Sequence, residues 1–395
     1  MSINLSVPKE AETTELKPRI TVVGVGGAGG NAVNNMIRSQ LEGVDFLVAN
    51  TDAQALGQSR AEHRIQLGTH ITQGLGAGSR PDVGRAAAEE AMEDIVTQLR
   101  GANMAFIAAG MGGGTGTGAA PIVAQIAREL NILTVAVVTK PFIYEGNRMR
   151  FAKAGIEALH EHVDSLIIVP NSKLMEVLGM DVTVPDAFKA ANGVLQGAVA
   201  GIAEVINVPG LINVDFADVH TVMSENGMAM MGSAIASGPD RARVAAERAI
   251  ASPLLEDVDM SGARGVLVNI TSSSQLKLKE LEEVMECVKF AAEEATVIVG
   301  SVFDEAMGDE LRVTVVATGL GAPRIKKPEV VYRGNEEAGQ RTGTDNQLVA
   351  NSGVDYAKLD TPTVIRTGRR EQIEAMEKSG ADTYDIPTFL RKQAD

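Results

Sequence analysis

The chain has 395 residues, 45% of them hydrophobic, enough for two ordinary domains with a sizeable core, but only 3% are aromatic and none is Trp, so that core must be built from Ala, Val, Ile, Leu and Met. Lys plus Arg total 36 against 51 Asp plus Glu, a net of −15 that is carried entirely before residue 321, and such a surface repels nucleic acid and anionic lipid. A single cysteine, Cys287, excludes internal disulfides and a Cys-based zinc cluster; with no apolar run near the roughly 20 residues of a membrane span and a polar start unlike a signal peptide, a soluble cytoplasmic protein is expected.

Residues 1–18 read as a flexible segment. "RITVVGV" (19–25) is a continuous apolar run, the pattern of a strand buried on both faces. "GGNAVNNMIRSQL" continues as a helix and "VDFLVANTD" as the next strand. "PDVGRAAAEEAMEDIVTQLR" (81–100) reads as one helix with Pro at its start. A strand at 103–109, a helix after a glycine run, the strand "ILTVAVVTKPF", the helix "RFAKAGIEALHEHV" and the strand "DSLIIVP" follow. Strands alternating with helices predict an α/β fold: an N-terminal parallel-sheet domain over 19–183, covered on both faces. The Ala-rich stretch 184–207 reads as one long central helix, buried between two layers. Strands in "MAMMGSAIAS", "GVLVNITSS", "TVIVGSVFD" and "LRVTVVATG", with helices near 240–251 and 277–292, predict a smaller C-terminal α/β domain over 208–320.

Residues 321–380 lack sustained apolar periodicity and read as a disordered linker. In 381–395, apolar residues return at Ile386, Phe389 and Leu390. That island reads as a C-terminal peptide that docks on a partner, the plain alternative being a helix packed on its own domain.

Two glycine clusters require explanation, because ordering glycine costs conformational entropy. "GVGGAGGN" (24–31) follows the first strand, opens a helix and matches G-x-G-x-x-G through Gly24, Gly26 and Gly29. A tight strand-to-helix turn that binds nothing would also fit it. "GMGGGTGTG" (110–118) repeats the arrangement after a later strand. In a parallel sheet both loops lie outside the carboxyl ends of strands, where they can bracket one phosphate chain with backbone N–H groups and helix N-termini. Thr115 and Thr117 offer hydroxyl donors. No P-loop motif is present and neither cluster holds a Lys, so backbone dipoles and a metal ion would hold the phosphates. "NVDFAD" (213–218) places Asn213, Asp215 and Asp218 after a Pro-Gly pair, hence on a loop. Asp215 and Asp218 share a side if the stretch turns helically, and the plain reading is a solvated acidic loop or a helix cap.

These motifs, with "NTDAQAL", "VAVVTKPF", "SPLLED" and "ARGVLVNIT", make residues 18–320 and the last dozen residues similar to the tubulin/FtsZ family of GTPases. The resemblance implies GTP or GDP, with Mg²⁺, bound between two domains joined by a central helix, and head-to-tail polymerisation at the division site. It implies a first phosphate loop of Gly27, Ala28, Gly29, Gly30 and Asn31, with Asn31 also near the base. Gly114, Thr115 and Gly116 would hold the outer phosphates. Glu145 would hold the ribose with Arg148, Arg150 being the alternative. Phe188 would stack on guanine and Asn192 bond its edge; the two are i,i+4 on one face. Asn213, Asp215 and Asp218 would act on the γ-phosphate of the next subunit. Partners implied are the chain itself and membrane-tethering division proteins such as FtsA, through the C-terminal peptide, with assembly at midcell beneath the inner membrane and no direct membrane insertion. A Rossmann-type NAD enzyme using Asp45 or Asp52 for the ribose is the competing reading; it leaves the second glycine run and "NVDFAD" unexplained. A non-hydrolysing tubulin-like scaffold is the third, and the acidic pair argues against it.

Overall fold

The first strand, β1 (Ile20–Val25), is buried at every position, as its uninterrupted apolar run requires. It belongs to a computed structural model that describes residues 17–320, apart from 180, 209, 211, 213, 226 and 253–259. Residues 1–16, Asn213, the expected linker and the expected C-terminal peptide lie outside the described residues.

After β1 come α1 (Gly26–Arg38), β2 (Val44–Asn50), α2 (Ala53–Gly57), β3 (His63–Gln66) and the single turn α3 (Thr69–Thr72). The chain continues through α4 (Pro81–Glu90), α5 (Met92–Leu99), β4 (Met104–Gly110), α6 (Thr115–Glu129) and β5 (Leu133–Lys140). Next are α7 (Arg148–His160), β6 (Ser165–Pro170), α8 (Asn171–Leu178) and the 24-residue α9 (Val184–Asn207). The six strands pair in parallel in the order β3-β2-β1-β4-β5-β6.

Alternate residues of each strand point to opposite faces, so two apolar layers form. Val22 and Phe106 pack with Met36 of α1 and with Leu195, Val199 and Ile202 of α9. Their neighbours Val23 and Ile107 pack with Ile95 of α5, Val123 of α6 and Leu159 of α7. The long helix starts at a proper cap: Thr183 Oγ1 accepts the Asp186 N–H at 3.3 Å.

The second half is α10 (Phe216–Met223), β7 (Gly227–Ser237), α11 (Arg241–Ile250), β8 (Gly265–Ser272), α12 (Leu278–Ala291), β9 (Thr296–Phe303) and β10 (Glu310–Leu320). It builds its own apolar cluster around α11 and α12. Its strands nevertheless continue the first sheet, because β7 pairs in parallel with β6 through Ser165–Ile167 and Gly227–Ala229. β10 lies antiparallel between β7 and β8, and β9 ends the ten-stranded sheet.

The helix expected over 81–100 is two helices. Ala91 leaves helical geometry at φ −98°, ψ 18°. α4 lies tight on α6 because glycines stand at the crossing: a Cβ on Gly84 would run into the Gly114 carbonyl oxygen, and one on Gly118 into that of Pro81. After the break, α5 turns Ile95 and Leu99 into the core. Among the described residues no helix is long and apolar enough to cross a membrane.

Candidate functional site

Because β1 and β4 are paired in register, Val25 opposite Ala109, the two glycine clusters leave the sheet side by side at the carboxyl ends of the strands. Gly26 (φ +73°) and Gly112 (φ +98°) take left-handed backbone conformations that side chains disfavour. The loops touch: a Cβ on Gly26 would lie 2.8 Å from the Gly116 amide nitrogen. Between them opens a cavity of about 240 Å³, lined by Gly27, Ala28, Gly113, Gly114, Thr115 and Gly116. α1 and α6 both begin here, so two helix N-termini, each a partial positive charge, face the cavity. This wall is mostly bare backbone, the form suited to a chain of phosphates in a molecule of strongly negative net charge.

The hydroxyls divide. Thr115 lines the cavity, its Oγ1 2.6 Å from Thr51 Oγ1. Thr117, expected as a second donor, is buried and accepts the Gly112 N–H at 2.9 Å; it shapes the loop from beneath. Gly29 and Gly30 are likewise turned from the cavity. A Cβ on Gly29 would run into the Ala108 carbonyl oxygen, and Gly30 faces Val48, so both admit close helix–sheet packing.

Glu145 and Arg148 meet at the cavity's rim. Arg148 Nη1 donates to Glu145 Oε2 at 2.8 Å, while Glu145 Oε1 accepts the Phe142 N–H at 2.9 Å. Arg150 instead lies over the ring of its neighbour Phe151, 5.3 Å from its centroid, so Arg148 is the arginine in the cavity. Phe188 lines the same cavity, edge-on to Phe142 at 5.4 Å. It also forms one wall of an adjoining recess of about 310 Å³ that holds Asn31 and Asn192. Asp45 and Asp52, the carboxylates of a dinucleotide reading, are engaged elsewhere. Asp45 pairs with Arg19 at 2.6 Å, and Asp52 caps α2 by accepting the Gln54 and Ala55 N–H groups.

Asn171, the first residue after β6, is a site residue that motif reading missed. It is 4% exposed, lines the cavity, and its Oδ1 has no hydrogen-bond partner. A buried polar atom without a partner is costly and points to a ligand that supplies one. Its position at the carboxyl end of a parallel strand is the signal that could have found it.

Asp215 and Asp218 stand apart from this cavity. Asp215 caps α10, its Oδ1 accepting the Asp218 N–H at 2.8 Å, and both residues are exposed. The helix cap and the shared side considered from sequence are thus one arrangement. α9 fixes the separation. Phe188 near its start lines the cavity, and Asn207 at its end donates to the Gly43 carbonyl, at the amino end of β2, at 2.7 Å. The nineteen helical steps from Phe188 to Asn207 span roughly 28 Å at about 1.5 Å each. The helix is tied to the second half by Arg312 Nη2, 3.0 Å from Glu204 Oε2, a carboxylate whose pKa burial pushes up. Among the described residues no group of three His, Cys, Asp or Glu is placed to hold a metal ion.

The profile of the tubulin/FtsZ family GTPase domain matches residues 19–179, and that of the FtsZ family C-terminal domain matches 227–321. "Cell division protein FtsZ" of Coxiella burnetii is 55% identical over 391 residues, covering 96% of this chain and 98% of that protein. The same-named protein of Pseudomonas putida is 54% identical over 388 residues, covering 96% and 97%. The empty FtsZ dimer of M. jannaschii superposes with a TM-score of 0.74 at 44% identity, covering 78% of this chain and 89% of that one. On a glycine-lined cavity at the carboxyl ends of the strands, a matching fold and relatives this close over nearly their whole length, the chain belongs to the tubulin/FtsZ family of GTPases.

Proposed function

We propose that this chain hydrolyses GTP in a site that only a second copy of itself completes. Family membership makes it a self-assembling GTPase of cell division. The observation that supports the shared site is the length of α9: Phe188 near its start lines the cavity, whereas the acidic cap of α10 follows its other end and contributes no residue to the cavity lining.

In this reading the backbone N–H groups of 113–116 and 27–28 receive the phosphates, and Asn171 supplies its free Oδ1 to a donor of the nucleotide. Arg148 and Glu145 take the ribose, while Phe188 stacks on guanine in the recess with Asn31 and Asn192. Mg²⁺ would be bound through phosphate oxygens and hydroxyls, since Glu145 is already paired with Arg148. Head-to-tail stacking then brings Asp215 and Asp218 of one copy, with Asn213, to the γ-phosphate of the next, where a carboxylate orients and polarises the attacking water. A contact of this kind does not close on itself and generates open filaments.

Phosphate release measured against protein concentration, with light scattering alongside, tests the reading. Turnover per subunit should rise steeply where scattering appears; a constant turnover per subunit from dilute to concentrated protein would contradict it. We further propose that 381–395 binds a membrane tether of the FtsA kind and brings the filaments beneath the inner membrane at midcell. Deleting 381–395 should leave GTP turnover within about twofold and abolish tether binding; collapse of polymerisation would assign the peptide to the folded body instead.

A further inference from the structure

The segment that carries the acidic residues is bonded to β9 at Ser301. Ser301 bonds it twice: its Oγ accepts the Ile212 N–H at 3.0 Å, and its own N–H donates to the Ile212 carbonyl at 3.3 Å. Ser301 is 2% exposed, so its hydroxyl has no water to exchange for this partner. The surroundings are cut to receive the segment. A Cβ on Gly210 would run into the Ser301 carbonyl oxygen, so this crossing requires a residue without a side chain. At Gly300 a Cβ would press on Val205 of α9 at 2.8 Å and on Val214 at 3.2 Å. Among the described residues β9 is the last strand of the sheet, paired with β8, and its outer edge meets Ile212 at Ser301. The end of α9, the residues before Asp215 and the sheet edge therefore meet at the Gly300–Ser301 pair.

We infer that Ser301 is a positioning residue for GTP hydrolysis: its hydroxyl, held in the edge of β9, fixes where Asp215 and Asp218 are presented to the next subunit's nucleotide. The inference rests on the reading that these carboxylates act across the interface. Its physical basis is that orientation at a reacting centre is worth much of the rate, and a displacement near 1 Å can cost on the order of a hundredfold. Ser301 touches neither the nucleotide cavity nor the reacting atoms, so its loss should move turnover and leave GTP affinity alone.

The test uses the full chain with Ser301→Ala, Ser301→Thr and Asp215→Ala, measuring affinity for a fluorescent GTP analogue, phosphate release per assembled subunit, and amide exchange over 208–215. Ser301→Ala should lower turnover by roughly ten- to a hundredfold, keep affinity within twofold, and speed exchange in that segment. Ser301→Thr keeps the hydroxyl on a strand-compatible side chain and should recover turnover to within a few-fold of the parent. Should the alanine variant fail to assemble, Ser301→Cys, which keeps the volume and weakens the acceptor, is read the same way. Turnover lost in Asp215→Ala but kept in Ser301→Ala overturns the anchor alone. Turnover kept in Asp215→Ala overturns the interface reading and the anchor with it. Equal loss of affinity and turnover in Ser301→Ala, without rescue by Thr, would make Ser301 merely structural and overturn the inference.

Discussion

The two ends of α9 carry two kinds of machinery. At one end the floor of the cavity is largely backbone: seven consecutive residues, Gly110–Gly116, hold five glycines. At the other end the acidic cap is side chain: two exposed carboxylates on the first turn of α10. A site made of backbone is broken by adding atoms, and a site made of side chains by removing them. The two halves should therefore fail in opposite ways.

The largest effect is expected from filling the cavity. Gly114→Val should abolish GTP binding, read by calorimetry or by loss of the nucleotide-induced rise in melting temperature. A Cβ there also meets Ala77 Cβ and the Arg80 nitrogen at 2.9 Å. Gly113→Val is the cleaner companion, because nothing lies within 4 Å of a Cβ at that position. It should weaken GTP binding with the melting temperature of the nucleotide-free protein unchanged. Unaltered affinity in both variants would remove the glycine run from the site.

Truncating the cap should do the reverse. Asp215→Ala removes a group needed only as the attacking water is activated, so turnover should fall by about 10²–10⁴ while GTP affinity holds. Filaments of this variant should live longer. Asn171 sharpens the comparison as a side chain within the backbone-built half. Asn171→Ala should cost about 0.5–1.5 kcal/mol of nucleotide affinity, roughly two- to tenfold, with turnover at saturating GTP little changed. An effect on turnover alone would move Asn171 to the chemical half of the site.

The same contrast explains what the sequence discloses. Glycine density and the 24-residue span 184–207 are local signals, so both phosphate loops and α9 are legible from the order of residues alone. The alternation of strand and helix likewise discloses the parallel array. β3 is not legible: "HRIQ" is four residues with one buried apolar side chain, Ile65, too short for a period. The break at Ala91 carries no Gly or Pro, so no residue type marks it in the sequence. Gly29, Gly30 and Thr117 sit inside the right motifs, but none lines the cavity, and that follows from how the two loops pack on the sheet and on each other, not from the motif. Asn171 is marked only by a buried oxygen that lacks a partner, a property of packing and not of any motif. Nor does sequence alone place the acidic cap outside the cavity lining, on which the proposed shared site depends.

The most direct test of that shared site mixes two defective proteins. Asp215→Ala keeps an intact cavity, and Gly114→Val keeps an intact acidic cap. Each should be nearly inactive alone. Phosphate release from the mixture, followed with co-sedimentation to verify that both chains enter the same filaments, should exceed the sum of the separate rates, because the cap of the second completes the cavity of the first. Co-assembly with no activity above that sum would contradict a site built across the interface.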